Sequence, residues 1–250
     1  MSKALSRAAM ASAFVRSFLI QGSWNYHTMI GSGFAFAMLP GLRRLFSENP
    51  EQMDASVRRH SEHFNAHPYL CNIALGAALR LEADGADPET VRRFKLAVRG
   101  PLGSLGDSLV WATWLPGVSV AAMGLFWLGL PPWMVVAFFL TVYNVAHIGL
   151  RTWGFRAGLR DGLDVGRGLG EADLTGWTVR LKPLVVGLLG VLTGAVLGGA
   201  GGLGDAGALW AGLGAVGFLG GLLVGHRAWR PAAIGIVVAI ALVSASGVLR

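Results

Sequence analysis

The stretch GPLGSLGDSLVW, residues 100–111, sets a proline, three glycines and an aspartate against the start of a long apolar run. Proline removes a backbone donor from a helix, and glycine loses the most freedom on being ordered. The stretch therefore predicts a backbone that is not one continuous helix, with Asp107 as the N-cap of a helix that begins at Ser108. Two readings of it stand side by side. One is a cap with close packing where the chain enters a membrane; the other is a broken helix whose exposed amides and carboxylate line a site for a polar solute. A carboxylate so near the bilayer is costly without a partner or a task. A phosphate-binding loop is excluded, because the Gly-Lys-Ser/Thr sequence is missing and no strand precedes the stretch; dinucleotide binding fails on the same ground.

Composition names the solvent for the run that follows. The 250 residues are 53% hydrophobic and only 14% charged, and the mean hydropathy of +0.54 is too apolar for an ordinary soluble fold. A membrane-spanning helix needs about 20 mostly apolar residues. Windows that reach or approach this lie at residues 108–130, 133–150, 183–203, 206–225 and 232–248. The spaced glycines Gly190, Gly194 and Gly198, and then Gly217, Gly221 and Gly225, suit close packing of helices in lipid.

The net charge of +7 does not point to nucleic acid, because the 21 basic residues are spread between the windows. Arg80, Arg92, Arg93, Lys95 and Arg99 precede the first window, Arg151 to Lys182 follow the second, and Arg227 and Arg230 follow the fourth. The turn from Gly129 to Pro132 carries no charge, and the Gly-rich connection at residues 201–206 carries only Asp205. By the positive-inside rule the basic connections are cytoplasmic. Residues 1–10 lack the apolar core and cleavage site of a signal peptide, so the whole chain is expected to be retained. The single cysteine, Cys71, excludes an intramolecular disulfide.

Residues 1–99 are of mixed polarity. The apolar segments 14–19 and 30–39 are too short and too interrupted by Gln21, Asn25 and His27 to span. They read as re-entrant or interfacial helices, which are allowed at membrane depth when buried in protein. Residues 50–63 form a polar helix with Pro50 at its first position, and Asp87-Pro88 supplies an N-cap and N1 pair for another. Three histidines, His60, His63 and His67, would share one face of a helix and could hold zinc or iron, or could simply be a solvated or hydrogen-bonded face. Gln21, Trp24, Asn25 and Tyr26, with Asn65 further on, supply the amides and rings that sugar recognition uses. Taken singly, Trp24 and Tyr26 are also ordinary membrane-interface anchors.

Read in order, QGSWNYHTM at 21–29, RRHSEHFNAHPYL at 58–70 and GPLGSLGDSLVW at 100–111 resemble the IID membrane component of the mannose/fructose/sorbose-type sugar phosphotransferase system (PTS). FAFAMLP at 34–40, LRRL at 42–45 and GLRDG at 158–162 extend the resemblance over about residues 14–199. The resemblance implies an all-α integral membrane protein, with N-terminal re-entrant or interfacial helices (residues 1–99) followed by about five transmembrane helices (residues 100–250) in a single domain. It implies a multi-pass subunit of the bacterial inner membrane, pairing with a IIC subunit in an oligomer of IIC–IID pairs. Hexose would be phosphorylated during uptake by IIA and IIB proteins, so no catalytic residue and no cofactor is expected in this chain. By motif position the sugar-path residues would be Gln21, Trp24, Asn25, Asn65 and Asp107. The chain departs from the pattern at His27, His63 and His67, and at Leu159, where the family has tyrosine. Two other expectations remain beside this one: a membrane-bound metal enzyme using His60, His63 and His67, and a non-transporting regulatory relic of a sugar PTS.

Overall fold

The computed structural model describes residues 5–199, whose regular secondary structure is helical apart from two isolated β-bridges. The helices are α1 (Arg7–Ser17), α2 (Gly31–Leu45), α3 (Pro50–Ser61), α4 (Cys71–Ala83), α5 (Pro88–Gly106), α6 (Leu115–Trp127), α7 (Pro132–Asp161), α8 (Val165–Glu171) and α9 (Leu174–Gly199). A π-helical segment, Asp107–Trp114, joins α5 to α6. The windows at 206–225 and 232–248 lie outside the described residues, as does the glycine row from Gly217 to Gly225.

Local chemistry accounts for the helix starts. Asn49 accepts the amide of Gln52 ahead of Pro50 in α3. Asp87 accepts the amides of Glu89 and Thr90 ahead of Pro88 in α5. In both, a side-chain oxygen satisfies an amide that the helix leaves open, and proline stands where its missing N–H costs nothing.

The expected break at residues 100–111 does not occur. Helix α5 continues through Pro101 and Gly103, the π-helical segment follows, and α6 completes a helical run from Pro88 to Trp127. Asp107 has helical dihedrals (φ −60°, ψ −43°) at the C-terminal cap of α5, so it is not an N-cap. Pro101 lies on the exposed side while Leu102 and Gly106 are buried, so packing of the other side outweighs the local preference to break. The wider π turn absorbs the irregularity instead.

Two helical runs, Pro88–Trp127 and Pro132–Val196, are long and apolar enough to cross a membrane. The 30 residues of α7 extend about 45 Å, more than the hydrocarbon thickness of about 30 Å. Trp133, Val136, Leu140, Val145 and Ile148 stand exposed along it, an apolar surface that suits lipid. Helix α7 includes Arg151, so the connection expected to begin at that residue starts as helix. The helix runs on to Asp161, and Arg151 is only 3% exposed.

The described chain forms two compact units, residues 5–111 with Tyr143–Leu174, and Ala112–Val142 with residues 175–199. In the second unit Trp114, Val118, Phe138, Leu181, Leu184 and Leu188 line an apolar groove. The first unit is built around α4, of which only Arg80 and Ala83 escape burial. Gly76 of α4 and Gly158 of α7 lie so close that a Cβ on Gly158 would strike the carbonyl of Ile73 and the amide of Ala77. Small residues are what allow two helix backbones to approach this closely.

At the end of α4 a buried ionic cluster joins α3, α4 and α5. Glu82 accepts from Arg59 Nη2 at 2.6 Å, from His60 Nε2 at 2.8 Å and from Ser56 Oγ at 3.0 Å. Lys95 donates to the carbonyls of Arg59 and His60 at 2.8 and 3.2 Å, and its ammonium lies over the rings of Phe34 and Phe64. Burial pushes His60 down to about 4, which its hydrogen bond to Glu82 offsets only in part. Burial alone would raise Glu82, but the bonds from His60 and Arg59 outweigh it and hold the carboxyl at about 2. His60 is therefore neutral and donates through Nε2, leaving Nδ1 without a partner among the described residues.

Three tests bear on this unit. Gly158→Val should displace α7 from α4 and lower the melting temperature of the purified protein, read by tryptophan fluorescence; a wild-type value would show that the helices can separate at no cost. For acid stability, both shifts have one sign. The unfolded chain takes a proton at His60 below its ordinary 6.5 and the folded chain only near 4, and Glu82 repeats this between 4.5 and about 2. Stability should be full above pH 6.5 and fall as pH drops through both windows. Glu82→Gln, which leaves Arg59 buried without its anion, should cost about 3–5 kcal/mol at neutral pH. A melting temperature unchanged from pH 6.5 to 4 would contradict the role given to His60.

Candidate functional site

The three sequence motifs are tied to one another through backbone in the first unit. Asn25 and Met29 exchange backbone hydrogen bonds that close the loop, with Met29 in the left-handed region (φ 54°). The amide of Phe64 then donates to Thr28 and the amide of Ile30 to Phe64, both at 3.1 Å, so the first motif is stitched to the second. The next residues meet the third motif. A side chain at Gly103 would touch the backbone of Asn65 and Ala66, and one at Gly106 would collide with the ring of His67. Glycine at 106 is thus the space His67 occupies.

The five sugar-path candidates fare differently. Gln21, Trp24, Asn65 and Asp107 are exposed. Asp107 makes no hydrogen bond or ion pair within the described residues, in the middle of an apolar helical run. Asn25 is half-buried and its carboxamide is engaged in its own loop: Oδ1 accepts the amides of His27 and Thr28, and Nδ2 donates to Thr28 Oγ1 and the Ser23 carbonyl. Such an Asx turn shapes the loop that presents Trp24 and Tyr26, whose rings meet edge-on at 4.9 Å. An exposed carboxylate and amides beside exposed rings can bind a neutral, hydroxyl-rich solute.

The histidines do not form the expected helical face. Helix α3 stops at Ser61, because Glu62 turns to an extended conformation (φ −57°, ψ 161°) before His63 and His67 are reached. His60 is buried on Glu82, His63 is exposed on Arg99, and His67 is buried on Gly106 and Trp111. Among the described residues no group of three or more His, Cys, Asp or Glu is placed to hold a metal ion. His67 is pushed down to about 4 by burial and by the nearby charge of Arg151. Its Nδ1 accepts the amide of Tyr69, so the ring proton sits on Nε2, which has no partner among the described residues.

Sequence reasoning missed a third buried cation of this unit. Arg151 donates through Nη1 to the Ser17 carbonyl at 2.9 Å and to Asn72 Oδ1 at 3.4 Å, and through Nε to His147 at 2.7 Å. Its guanidinium lies 4.7 Å from the Phe18 ring centre and 5.0 Å from that of Tyr69. Ser17 ends α1, so the cation meets the negative end of that helix, and no carboxylate pairs with it among the described residues. The signal available was Arg151's place directly behind an apolar window, which is equally the place of a topogenic charge.

The family model for the PTS system mannose/fructose/sorbose family IID component matches residues 4–198. The chain is 33% identical over 197 residues to the PTS system mannose-specific EIID component of Escherichia coli (strain K12), covering 76% of this chain and 68% of the relative. It is 31% identical over 200 residues to the PTS system sorbose-specific EIID component of Klebsiella pneumoniae, covering 76% and 70%. Among solved structures it resembles a chain of the mannose transporter ManYZ in complex with microcin E492, with a TM-score of 0.61, 31% identity, and coverage of 77% of this chain and 71% of that one. With the family model matched over residues 4–198 and the helices in a matching fold, the chain belongs to the mannose/fructose/sorbose family of PTS IID components, membrane subunits of sugar phosphotransferase systems.

Proposed function

We propose that this chain pairs with a IIC subunit in the bacterial inner membrane, as a multi-pass subunit of an oligomer of IIC–IID pairs, to bind and translocate a hexose. IIA and IIB proteins phosphorylate the sugar during uptake, and this chain supplies binding surface rather than a phosphoryl donor. The observation that carries the reading is the junction of the three motifs. It leaves Gln21, Trp24, Asn65 and Asp107 exposed while Phe64, Ala66, His67 and Gly106 are buried.

Asp107 has the central role. A carboxylate accepts from two vicinal hydroxyls at once, and an exposed one without a protein partner in an apolar run is available for this. Gln21 and Asn65 add amide donors and acceptors, Trp24 an apolar ring, and Asn25 holds the loop that presents it. Phosphoenolpyruvate-dependent uptake, measured in cells supplying IIA, IIB and IIC, tests the reading. Asp107→Asn should reduce uptake at low sugar by about tenfold or more, the loss of a hydrogen bond to a charged acceptor. Uptake unchanged in the variant sinks the role of Asp107, and no uptake by the wild type leaves the regulatory relic as the better description.

A further inference from the structure

Beyond the five sugar-path candidates, one exposed aromatic side chain stands beside an exposed carboxylate. Along the end of α5 and the π-helical segment, Ser104, Asp107 and Trp111 are exposed, whereas Leu102, Gly106, Val110 and Thr113 are buried. Four places apart is about one helical turn, so the Trp111 indole and the Asp107 carboxylate stand on nearly the same side of the helix. Trp111 is 51% exposed. This tryptophan shares its side with the Ser104 hydroxyl and with a carboxylate that has no side-chain partner among the described residues. An uncompensated carboxylate facing hydrocarbon is costly, so this side faces water or a polar ligand.

The indole is also held in place. Its covered side meets the His67 ring, with centroids 5.2 Å apart and planes at 69°. His67 is itself 2% exposed, wedged against Gly106 and tied through Nδ1 to the amide of Tyr69. A ring fixed on one side and open on the other, with a carboxylate one turn away, is the arrangement that receives the C–H face of a sugar while its hydroxyls are bonded.

We propose that Trp111 is the stacking platform of the sugar site, its open indole side taking the apolar face of a neutral pyranose whose hydroxyls are held by Asp107. This rests on the transport reading above and adds to it the residue that selects for a ring with a continuous C–H face. Sugars whose axial hydroxyls interrupt that face bind less well.

The test uses the full chain copurified with its IIC partner in lipid nanodiscs and labelled with fluorotryptophan. The Trp111 fluorine resonance is identified by its loss in Trp111→Phe. Radiolabelled mannose, fructose and sorbose are added one at a time, and binding is measured by equilibrium dialysis alongside the spectra. For a sugar that binds, the Trp111 resonance should shift; Trp111→Leu should weaken binding by about tenfold and Trp111→Phe by only about two- to threefold. The shift itself is read in the wild type, and the conservative Trp111→Phe serves to assign the resonance. A sugar that binds while this resonance stays put, or that binds Trp111→Leu as well as wild type, overturns the platform and leaves the transport reading standing. If none of the three sugars binds the wild-type complex, both fall together.

Discussion

A helix surrounded by protein must satisfy inside the molecule every polar group it carries. Helix α4 carries two such groups, and they set the positions of its neighbours. Near its start, Asn72 donates to Ser17 Oγ and to the Arg151 carbonyl, drawing together the end of α1 and the middle of α7. Near its end, Glu82 collects Ser56, Arg59 and His60 from α3, and Lys95 of α5 closes the cluster through α3 carbonyls. Between them, Gly76 lets α7 come to backbone contact. A single buried helix thus fixes the register of four others at three points.

The cluster around Glu82 holds two basic side chains against one carboxylate. Neutral groups carry the remainder: the Lys95 ammonium takes two carbonyls and the faces of Phe34 and Phe64. Arg151 follows the same rule, with carbonyl, amide and imidazole acceptors in its plane and aromatic rings over it. Spreading a buried cation over dipoles and π faces avoids desolvating a second ion. It also ties the charge to several elements at once, because no one of them supplies enough acceptors.

What was legible in the sequence follows from how local each cause is. Asn49-Pro50 and Asp87-Pro88 announce their helices because a cap involves only the next few residues. The apolar runs announce a membrane because composition alone decides it. The GPLGSLGDSLVW stretch misled as to its backbone, since local propensity favours a break but burial of Leu102 and Gly106 rewards continuity. Arg151 and Lys95 stand among the basic residues that flank the apolar windows, and position in sequence does not tell a buried cation from a cytoplasmic one. The three histidines looked like one face because nothing in their spacing reveals that Glu62 ends the helix first. The motif junction itself was out of reach: Thr28 meets Phe64, and Ala66 meets Gly103, by contacts that no periodicity encodes.

The distribution of satisfied polar groups separates framework from site. In the framework the charged side chains Glu82, Arg59 and Arg151 are buried with partners, even where those partners are neutral. At the motif junction the pattern inverts: Asp107 is exposed without a side-chain partner among the described residues, while Asn25 holds its own loop and His67 fills the space that Gly106 leaves. Preorganisation of this kind lowers the ordering cost of binding, because the surface that meets a ligand is already shaped by residues that do not touch it. The π-helical segment belongs to the same logic. It begins at Asp107, directly after the glycine that admits His67, so the irregular turn coincides with the point where buried support gives way to exposed polar groups.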